Sequence, residues 1–522
     1  MRYNLVVKTK NTQEQFRAYE RNGQLVLAIN SEIILPEKAP VRRTSAQLEE
    51  LDYRKLYAAY SPKGRKSVVD PKVMFKVMAY GYQEGIQTTR DLEDACRYRV
   101  DFMWLLEDQP VPDHSTISRF RTGRCAEAVE DLFYQYVKYL KARGETDQET
   151  VFIDGTKIES RAGRYTFCWR GSIEKNLAKV RAAVLQQTGL KTLRGLKKRL
   201  VRQAEGIEFV TGKGHHKTQE QRDWEQLHEL EVRWERYEAQ LEIMGAGRNS
   251  YSTTDTDATF MRMKEDHMKN GQLKPAYNVQ IAVNSEYITG IEAFSNRTDF
   301  GTLVPFLEEI STQHGCRYEK VVADAGYESV ENYLYLEENG QMSFIKPANY
   351  EQAKTKKYRS QIGRAENMAY DAERDSYTCA EGRTLVKLYE STDKFSGVVT
   401  THYRCENCCG CSLREKCCSA RNPDSPKEIR VKKQFLEQRA QSLENISTEE
   451  GIYLRMCRSI QVEGAFALLK NDFGFRRFLT TGKKNVKIEL LFLALGFNLK
   501  KNWMKAEAHR EKSHLSRIKK TA

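Results

Sequence analysis

The sequence predicts a multi-domain α/β protein built around a mixed sheet with flanking helices. Two apolar runs of strand character, "VFIDGTKIES" (151–160) and "VVADAGYES" (321–329), each lead into an aspartate and a turn. Between them, residues 276–294 alternate apolar and polar side chains like a β-hairpin, and a helix capped by Thr298 or Asp299 follows. The order strand, insertion, hairpin, helix, strand is typical of an α/β fold.

The composition favours a nucleic acid as the partner. The 522 residues, enough for two to four domains, include 85 Lys and Arg against 71 Asp and Glu, a net charge of +14. The alternative is a surface charge that serves solubility alone. No apolar stretch approaches the roughly 18 residues of a membrane span, and the N-terminus lacks the apolar segment of a secretory signal. We therefore expect a cytoplasmic protein without a membrane partner.

A helix in the N-terminal region has the pattern of a DNA-reading helix. In "VPDHSTISRFRTGR" (111–124), Asp113 is placed to cap a helix whose Ile117 and Phe120 face inwards, as in the second helix of a helix-turn-helix. Side chains predicted to reach base edges or phosphates are Ser115, Thr116 and Arg119. The alternative is a packing helix with a solvated face. On either interpretation three arginines point outwards: Arg119, Arg121 and Arg124.

Residues 172–246 differ in composition from the segments that surround them. They are rich in Lys, Arg, Glu, Gln and Leu, contain no proline, and repeat apolar residues at helical spacing. This pattern predicts an inserted helical hairpin.

A second insertion is rich in cysteine, with six of the twelve cysteines in "CENCCGCSLREKCC" (405–418). Four of them have a C-x2-C-x2-C-x5-C spacing that suits tetrahedral zinc: Cys405, Cys408, Cys411 and Cys417. Cys379 is a candidate to replace one of these ligands. A structural zinc site is predicted; an iron–sulfur site and a metal-free thiol cluster are the alternatives.

The last regular stretch, "STEEGIYLRMCRSIQVEGAFALLKNDFG" (447–474), predicts a long helix. A capping box at Ser447 and Glu450 would open it, and Gly474 would end it. Helical spacing places four residues on one face: Glu463, Phe466, Ala467 and Lys470.

Three carboxylates from these elements predict a site for divalent cations. Asp154 and Asp324 follow neighbouring strands, and Glu463 lies on a helix that faces them. Such a set can hold two cations about 3.5 to 4 Å apart, and oxygen ligands suit magnesium or manganese. Each residue taken alone has an ordinary alternative, since an aspartate after a strand often serves a turn and a helical glutamate often faces solvent.

From residue 70 to about 503, the chain resembles bacterial insertion-sequence transposases of the DDE superfamily, the ribonuclease-H-like group that includes retroviral integrases. The resemblance to the catalytic core is carried by "FIDGTKIES", "VVADAGYES" with "ENYLYLEENG", and "RSIQVEGAFALLKNDFGFRRFLTTG" with "LALGFNLKK". "DPKVMFKVMAYGYQEG" and "VPDHSTISRFR" look like the DNA-binding segment of these enzymes. The cysteine cluster looks like an insert found in one of their branches.

The resemblance implies roles for single residues. Asp154, Asp324 and Glu463 would be the catalytic ligands of two Mg²⁺ or Mn²⁺ ions per active site, and Lys470 would contact DNA near the scissile phosphate. The family position for an arginine four residues before the glutamate is Ser459 in this chain. A neighbouring arginine would have to act in its place: Arg458 or Arg455.

The resemblance also implies a domain organisation. The predicted regions are a helical DNA-binding region (1–145), a ribonuclease-H-like core (146–171, 247–350 and 446–505), a helical insertion (172–246), a cysteine-rich insertion (351–445) and a basic tail (506–522).

The implied function is DNA transposition in the bacterial cytoplasm, associated with the nucleoid. The enzyme would bind double-stranded DNA at the terminal inverted repeats of its element, cleave the ends and join them to target DNA, acting as a homodimer on DNA. The alternatives are a ribonuclease-H-like nuclease without strand transfer, a non-catalytic DNA-binding regulator and a zinc-dependent interaction module.

Overall fold

The computed structural model describes residues 35–514 apart from six short gaps. The gaps fall at 62, 64–66, 212–215, 264–270, 395–396 and 419–424. The predicted DNA-binding region and basic tail therefore extend beyond the described residues, into 1–34 and 515–522. The described chain is a mixed α/β protein with a mixed sheet and many helices, which confirms the predicted α/β class.

Helices make up the N-terminal part of the described chain. They are α1 (Pro40–Glu49), α2 (Arg54–Ala58), α3 (Pro71–Gln83), α4 (Thr89–Tyr98), α5 (Val100–Leu105), α6 (His114–Arg119) and α7 (Val129–Ala142). As predicted, the Asp113 carboxylate caps α6 by accepting the N–H of Thr116. A π-helical turn, Phe120–Arg124, continues α6 and brings Phe120 into the core.

The central sheet contains six strands of mixed direction. The strands up to residue 345 are β1 (Thr150–Glu159), β2 (Phe167–Trp169), β3 (Ser250–Ser252), β4 (Thr259–Arg262), β5 (Leu273–Asn284), β6 (Tyr287–Phe294), β7 (Lys320–Ala323) and β8 (Met342–Ile345). The sheet order is β4-β5-β1-β7-β8, with β6 also paired to β5. β5 and β6 form the predicted hairpin. β1 runs antiparallel to β5 and parallel to β7, and β7 runs parallel to β8.

The two faces of the sheet pack against different helices. Val279, Ile281 and Val283, predicted to share one face, belong to a core with the N-terminal and C-terminal helices. Val151 and Ile153 face the other way. That side is covered by two helices between strands of the sheet: α11 (Leu303–His314) and α12 (Val330–Glu338). Both helices follow the helical insertion in the chain.

The helical insertion lies between β2 and β3. It consists of α8 (Arg170–Thr188), α9 (Leu193–Ala204) and α10 (Gln219–Met244). Their apolar residues, including Leu177, Leu196 and Trp234, form a separate small core. The prediction of a two-helix hairpin is therefore wrong in one respect, because Gly189 ends the first helix in a left-handed conformation and a further short helix follows.

The cysteine-rich insertion is built on a second sheet. Short helices α13 (Tyr350–Ala353) and α14 (Lys356–Arg359) lead into β9 (Ala369–Asp371), β10 (Ser376–Thr378), β11 (Thr384–Thr392), β12 (Val399–Cys405), α15 (Arg414–Cys417) and β13 (Glu428–Val431). The five strands pair antiparallel in the order β13-β12-β11-β10-β9. The cysteine motif thus begins where β12 ends.

Two helices flank the predicted long helix: α16 (Lys433–Ser447) precedes it and, after a loop, α19 (Lys483–Glu507) follows it. The long helix itself is confirmed as one continuous helical stretch from residue 449 to residue 472. It consists of α17 (Glu449–Arg458), a π-helical turn (Ser459–Glu463), α18 (Gly464–Ala467) and a second π-helical turn (Leu468–Asp472). The predicted capping box is wrong by one residue. The cap of α17 is Thr448, whose hydroxyl accepts the Gly451 N–H at 2.9 Å, while the Ser447 hydroxyl bonds within α16.

The α19 helix runs through the middle of the protein and packs against α3, α7 and β6. Its apolar residues from Leu490 to Leu495 are all buried. Among the described residues, no helix combines the length and the apolar character that crossing a membrane requires.

Candidate active site

Asp154 and Asp324 lie on neighbouring parallel strands. Phe152 of β1 pairs with Val322 of β7, and Asp324 directly follows the last residue of β7. The prediction that the first strand ends at its aspartate is wrong, because β1 continues to Glu159 along β5. The pairing with β7 stops at Phe152, just before Asp154. Among the described residues, the next backbone pairing of β1 on a neighbour other than β5 is a single parallel bridge between Glu159 and Arg477.

Local backbone bonds orient both carboxylates. The Asp154 Oδ1 accepts the N–H of Gly155 at 2.8 Å, and the Asp324 Oδ1 accepts the N–H of Gly326 at 2.7 Å. Each aspartate is thus held by the backbone N–H of a glycine that follows it. At Gly155, inside β1, a Cβ atom would lie 2.4 Å from the Gln280 Nε2, so the close approach of that side chain requires glycine.

The surroundings of Asp154 make its negative charge unfavourable. Burial raises the pKa of its carboxyl group, and the neighbouring charge of Asp324 raises it further, while Arg458 and the Gly155 N–H act in the opposite direction. Two carboxylates that repel each other in a largely buried place favour the binding of a cation between them.

Arg458 already supplies one positive charge to Asp154. Its Nη1 lies 2.9 Å from the Asp154 Oδ2, and both side chains are more than three-quarters buried. The other predicted candidate, Arg455, lies over the ring of Tyr350 instead, with its guanidinium 5.5 Å from the ring centre. Of the two arginines, the structure therefore places Arg458 at the aspartates.

Glu463 is not placed against the two aspartates. It ends the π-helical turn Ser459–Glu463, which packs on β1 and β5, and its side chain is exposed. Within the described ranges, no three His, Cys, Asp or Glu side chains are close enough together to hold a metal ion. The structure thus brings together two of the three predicted carboxylates.

The aspartate pair nevertheless has the donor chemistry for magnesium or manganese. Mg²⁺ is usually held by one or two carboxylates together with substrate phosphates, and rarely by a complete cage of protein ligands. Asp154 and Asp324 supply two such carboxylates beside an open strand edge. The residues present therefore fit a cation that is completed by substrate oxygens.

A cleft of about 230 Å³ lies along β1 from Gly155, the residue after Asp154, and neither Asp154 nor Asp324 lines it. Its walls carry residues of β1 from Gly155 to Glu159, together with Asn278, Asp299, Lys470 and Arg476. The basic side chains suit a phosphate-bearing strand. Lys470 was predicted to contact DNA, whereas sequence reasoning missed the cleft position of Asp299 and Arg476.

The cleft position of Asp299 also corrects its predicted role. The following helix, α11, begins at Leu303 after Thr302, without a side-chain cap. The Asp299 Oδ1 instead accepts the side-chain N–H of Asn278 at 2.7 Å. The predicted helix cap at Thr298 or Asp299 is therefore wrong, because the Asp299 carboxylate bonds to β5.

Comparison with protein families finds two transposase models, and neither match includes Asp154 or Asp324. Residues 378–503 match the model described as Transposase DDE domain, and residues 30–123 match the model described as Transposase domain (DUF772). The chain belongs to the insertion-sequence transposases of the DDE type. No curated protein and no solved structure matches it. The first match includes Glu463 of the transposase and its cysteine cluster, and the second includes α6.

The predicted DNA-reading helix of the transposase presents its polar side outwards. Ser115 and Arg119 are exposed and Thr116 is half-buried, whereas Ile117 is fully buried. The expectation that Arg121 points outwards is wrong. It is 5 % exposed, and its Nη1 donates to the Gln87 carbonyl at 3.2 Å.

The cysteines of the transposase surround one small enclosed space of about 20 Å³. Its lining includes Cys379, Cys405, Cys408, Cys411, Cys417 and Cys418. Burial raises the pKa of Cys405 to about 11, and the adjacent Cys408 contributes to the rise. As they stand, no three of these described thiols are grouped closely enough to hold a metal ion.

Proposed function

We propose that this transposase binds the terminal inverted repeats of its element, cleaves at the ends and transfers the 3′ ends to target DNA. The observation that carries the proposal is the pair of Asp154 within β1 and Asp324 at the end of the neighbouring β7, near a cleft lined by Lys470 and Arg476. Basic side chains in a cleft near paired carboxylates suit a phosphodiester substrate, because they can hold its phosphates while the carboxylates hold cations.

Each residue of the site has a proposed task. Asp154 and Asp324 hold the divalent cations, two per active site, and Glu463 joins them once DNA fills the cleft. When bound, these cations supply the charge stabilisation that phosphodiester cleavage and joining require. Lys470 and Arg476 hold the phosphates of the DNA strand, and Arg458 orients Asp154 and partly offsets the rise of its pKa while DNA is absent.

The catalytic core is proposed to be ribonuclease-H-like. Support comes from the mixed sheet, in which the antiparallel strands β6, β5 and β1 are followed by the parallel strands β7 and β8, with helices on both faces. The predicted domain boundaries are proposed with it. Because two ends of the element must be brought together, the active form is a homodimer on DNA.

Two further parts of the proposal concern DNA recognition and zinc. Ser115, Thr116 and Arg119 on the outer side of α6 contact the terminal repeats. The thiols around the small space in the cysteine-rich insertion hold a structural zinc ion, with Cys405, Cys408, Cys411, Cys417 and Cys379 as the candidate ligands.

The test uses purified protein and DNA from the flanks of its own coding region. Duplexes ending in the flanking inverted repeats are offered intact or already cut, together with a supercoiled target plasmid and Mg²⁺ or Mn²⁺. Joined product from the cut ends is expected. Cleavage without joining would indicate a nuclease, and sequence-specific binding without either reaction would indicate a regulator; both outcomes overturn the proposal.

A further inference from the structure

The middle helix of the helical insertion, α9, carries charges of one sign only. Its 12 residues include five Lys or Arg and no Asp or Glu. The helix on which it packs, α10, has the opposite balance, with eight Asp or Glu and three Arg among 26 residues. Positive and negative side chains are thus segregated onto two neighbouring helices, and the side of the insertion that α9 exposes is basic.

Contacts within the insertion hold α9 in place and occupy two of its five cations. Two leucines of the helix are buried in the small core of the insertion. Lys197 forms an ion pair with Glu235 of α10 at 2.8 Å. The Arg199 Nη1 donates to the backbone carbonyl of Thr188, at the end of α8, at 3.4 Å. These two cations therefore serve the packing of the three helices.

The other three cations of α9 form a basic face: Arg194, Lys198 and Arg202. They are spaced four residues apart, which places them on the same side of a helix. All three are exposed. In the described part of the chain, none of them has an ion-pair or hydrogen-bond partner. The basic face is thus held on a fixed helix with its charges turned to the outside.

This basic face is unfavourable for the protein on its own. Like charges four residues apart destabilise a helix, and a cation in the first turn opposes the helix dipole. Arg194 is the second residue of α9, and no carboxylate on the helix offsets it. A surface that serves solubility alone usually intersperses both signs, as α10 does. A polyanion lying on α9 would relieve both unfavourable effects.

The length of the basic face suits one strand of a DNA duplex. At a rise of about 1.5 Å per residue, successive cations are about 6 Å apart along the helix and the whole face extends about 12 Å. One strand of B-DNA carries a phosphate about every 3.4 Å along its axis, so this length spans roughly three to four phosphates. Each of the three side chains can therefore meet its own phosphate.

We propose that the basic face of α9 binds the phosphate backbone of double-stranded DNA, as a contact that does not depend on base sequence. The inference rests on the proposed function, since it takes DNA as the partner of this chain. It adds a DNA contact that includes neither α6 nor any residue of the basic cleft. The task of the helical insertion is then to hold DNA electrostatically, without divalent cations.

The first test measures binding of the full chain to a random-sequence duplex, with chelator present, over a series of salt concentrations. The variant carries Arg194→Gln, Lys198→Gln and Arg202→Gln together, because glutamine removes the charge and keeps a high helix propensity. At about 0.1 M salt its affinity should fall roughly tenfold or more. The slope of log affinity against log salt should become shallower by about two to three, as expected for three lost phosphate contacts.

The matched control removes three exposed cations from the neighbouring helices α8 and α10. It carries Lys175→Gln, Lys179→Gln and Arg222→Gln, and it changes the net charge by the same amount. Its affinity and salt slope should stay close to those of the unmodified protein. Unchanged binding by the α9 variant would overturn the proposed contact. An equal loss in the control would also overturn it, because net charge would then explain the effect.

The second test uses the unmodified protein and so does not depend on how a variant folds. Lysines are acetylated with and without the duplex, and the rate at each site is read by mass spectrometry. Acetylation of Lys198 should slow severalfold, while Lys175 and Lys179 should react as before. An unprotected Lys198 would overturn the α9 contact. Protection of Lys198 without any cleavage or joining would overturn the proposed transposition and leave the α9 contact standing, whereas no binding to any duplex would overturn both.

Discussion

The guanidinium of Arg458 donates a hydrogen bond to the Asp154 carboxylate, with Nη1 2.9 Å from Oδ2. Arg458 is the last residue of α17, and the chain continues into the π-helical turn that ends at Glu463. The ion pair therefore attaches the segment carrying the third predicted carboxylate to the strand carrying the first.

Arg458→Gln is expected to strengthen cation binding in the absence of DNA and to shift its pH dependence. Cation binding requires ionised Asp154, so it is present above the pKa of Asp154 and is lost as the pH falls through it. That pKa is already raised, mainly by burial, and removing the lowering effect of Arg458 raises it further. Loss of Mn²⁺ binding on acidification should therefore begin at a higher pH in the variant.

The measurement is a series of Mn²⁺ titrations between about pH 8 and pH 4, around the usual carboxyl range. Arg455→Gln is the matched control, because Arg455 is on the same helix but lies over Tyr350. Superimposable pH profiles for Arg458→Gln and the unmodified protein would contradict the assignment of Arg458 to the site.

Asp154→Asn, Asp324→Asn and Glu463→Gln should each reduce cleavage and joining by at least about a thousandfold. The three carboxylates are proposed to hold the same two cations, so the loss of one disables the whole site. Binding to the terminal repeats should survive in all three, since α6 lies elsewhere in the chain. The comparison is a single-turnover cleavage assay beside a binding isotherm. Glu437→Gln, on the exposed side of α16, should cleave normally. Substantial Mg²⁺-dependent cleavage by folded Glu463→Gln would exclude that residue.

Much of the central sheet follows from local patterns. The hairpin was predictable because Val279, Ile281 and Val283 alternate with polar residues, and a period of two determines which side chains share a face. Asp154 and Asp324 come close because β1 and β7 pair in parallel at Phe152 and Val322, and each aspartate lies two residues further along its chain. The hairpin depends on residues that are close in sequence, and the closeness of the two aspartates depends on the pairing of two adjacent parallel strands.

The rest depends on contacts that no local pattern reveals. The π-helical turns before and after α18 each insert an extra residue per turn, so simple helical spacing gives no reliable face for Glu463. The hydrogen-bond partner of Asp299 is Asn278 on β5, 21 residues earlier in the chain. Arg121, predicted on the surface, is buried because the Gln87 carbonyl accepts its N–H.

Cys408→Ser should release zinc and lower stability more than it lowers activity per folded molecule, because a structural metal contributes folding free energy. Reduced, chelator-free protein should contain about one zinc per chain by elemental analysis, as a four-thiolate site implies.

Cys379→Ser should behave like Cys408→Ser, since both thiols line the same small space. Cys409→Ser, an exposed neighbour outside that lining, should keep its zinc. Protein free of zinc, or equal loss in the Cys409 variant, would count against the site.

Arg119→Ala should weaken binding to the terminal repeats by about 1–3 kcal/mol if the arginine reads bases, with a much smaller effect on random DNA. Arg119 is exposed beside Thr116, with its Nη2 3.4 Å from the threonine hydroxyl, so its removal leaves the buried side of α6 intact. Binding to terminal and random duplexes is compared at one salt concentration, because phosphate contacts make every affinity depend on salt. Arg222→Ala, at an exposed position of α10, serves as the control for losing a positive charge. An equal loss on both duplexes would make Arg119 a phosphate contact, and no loss on either would leave α6 as a packing helix.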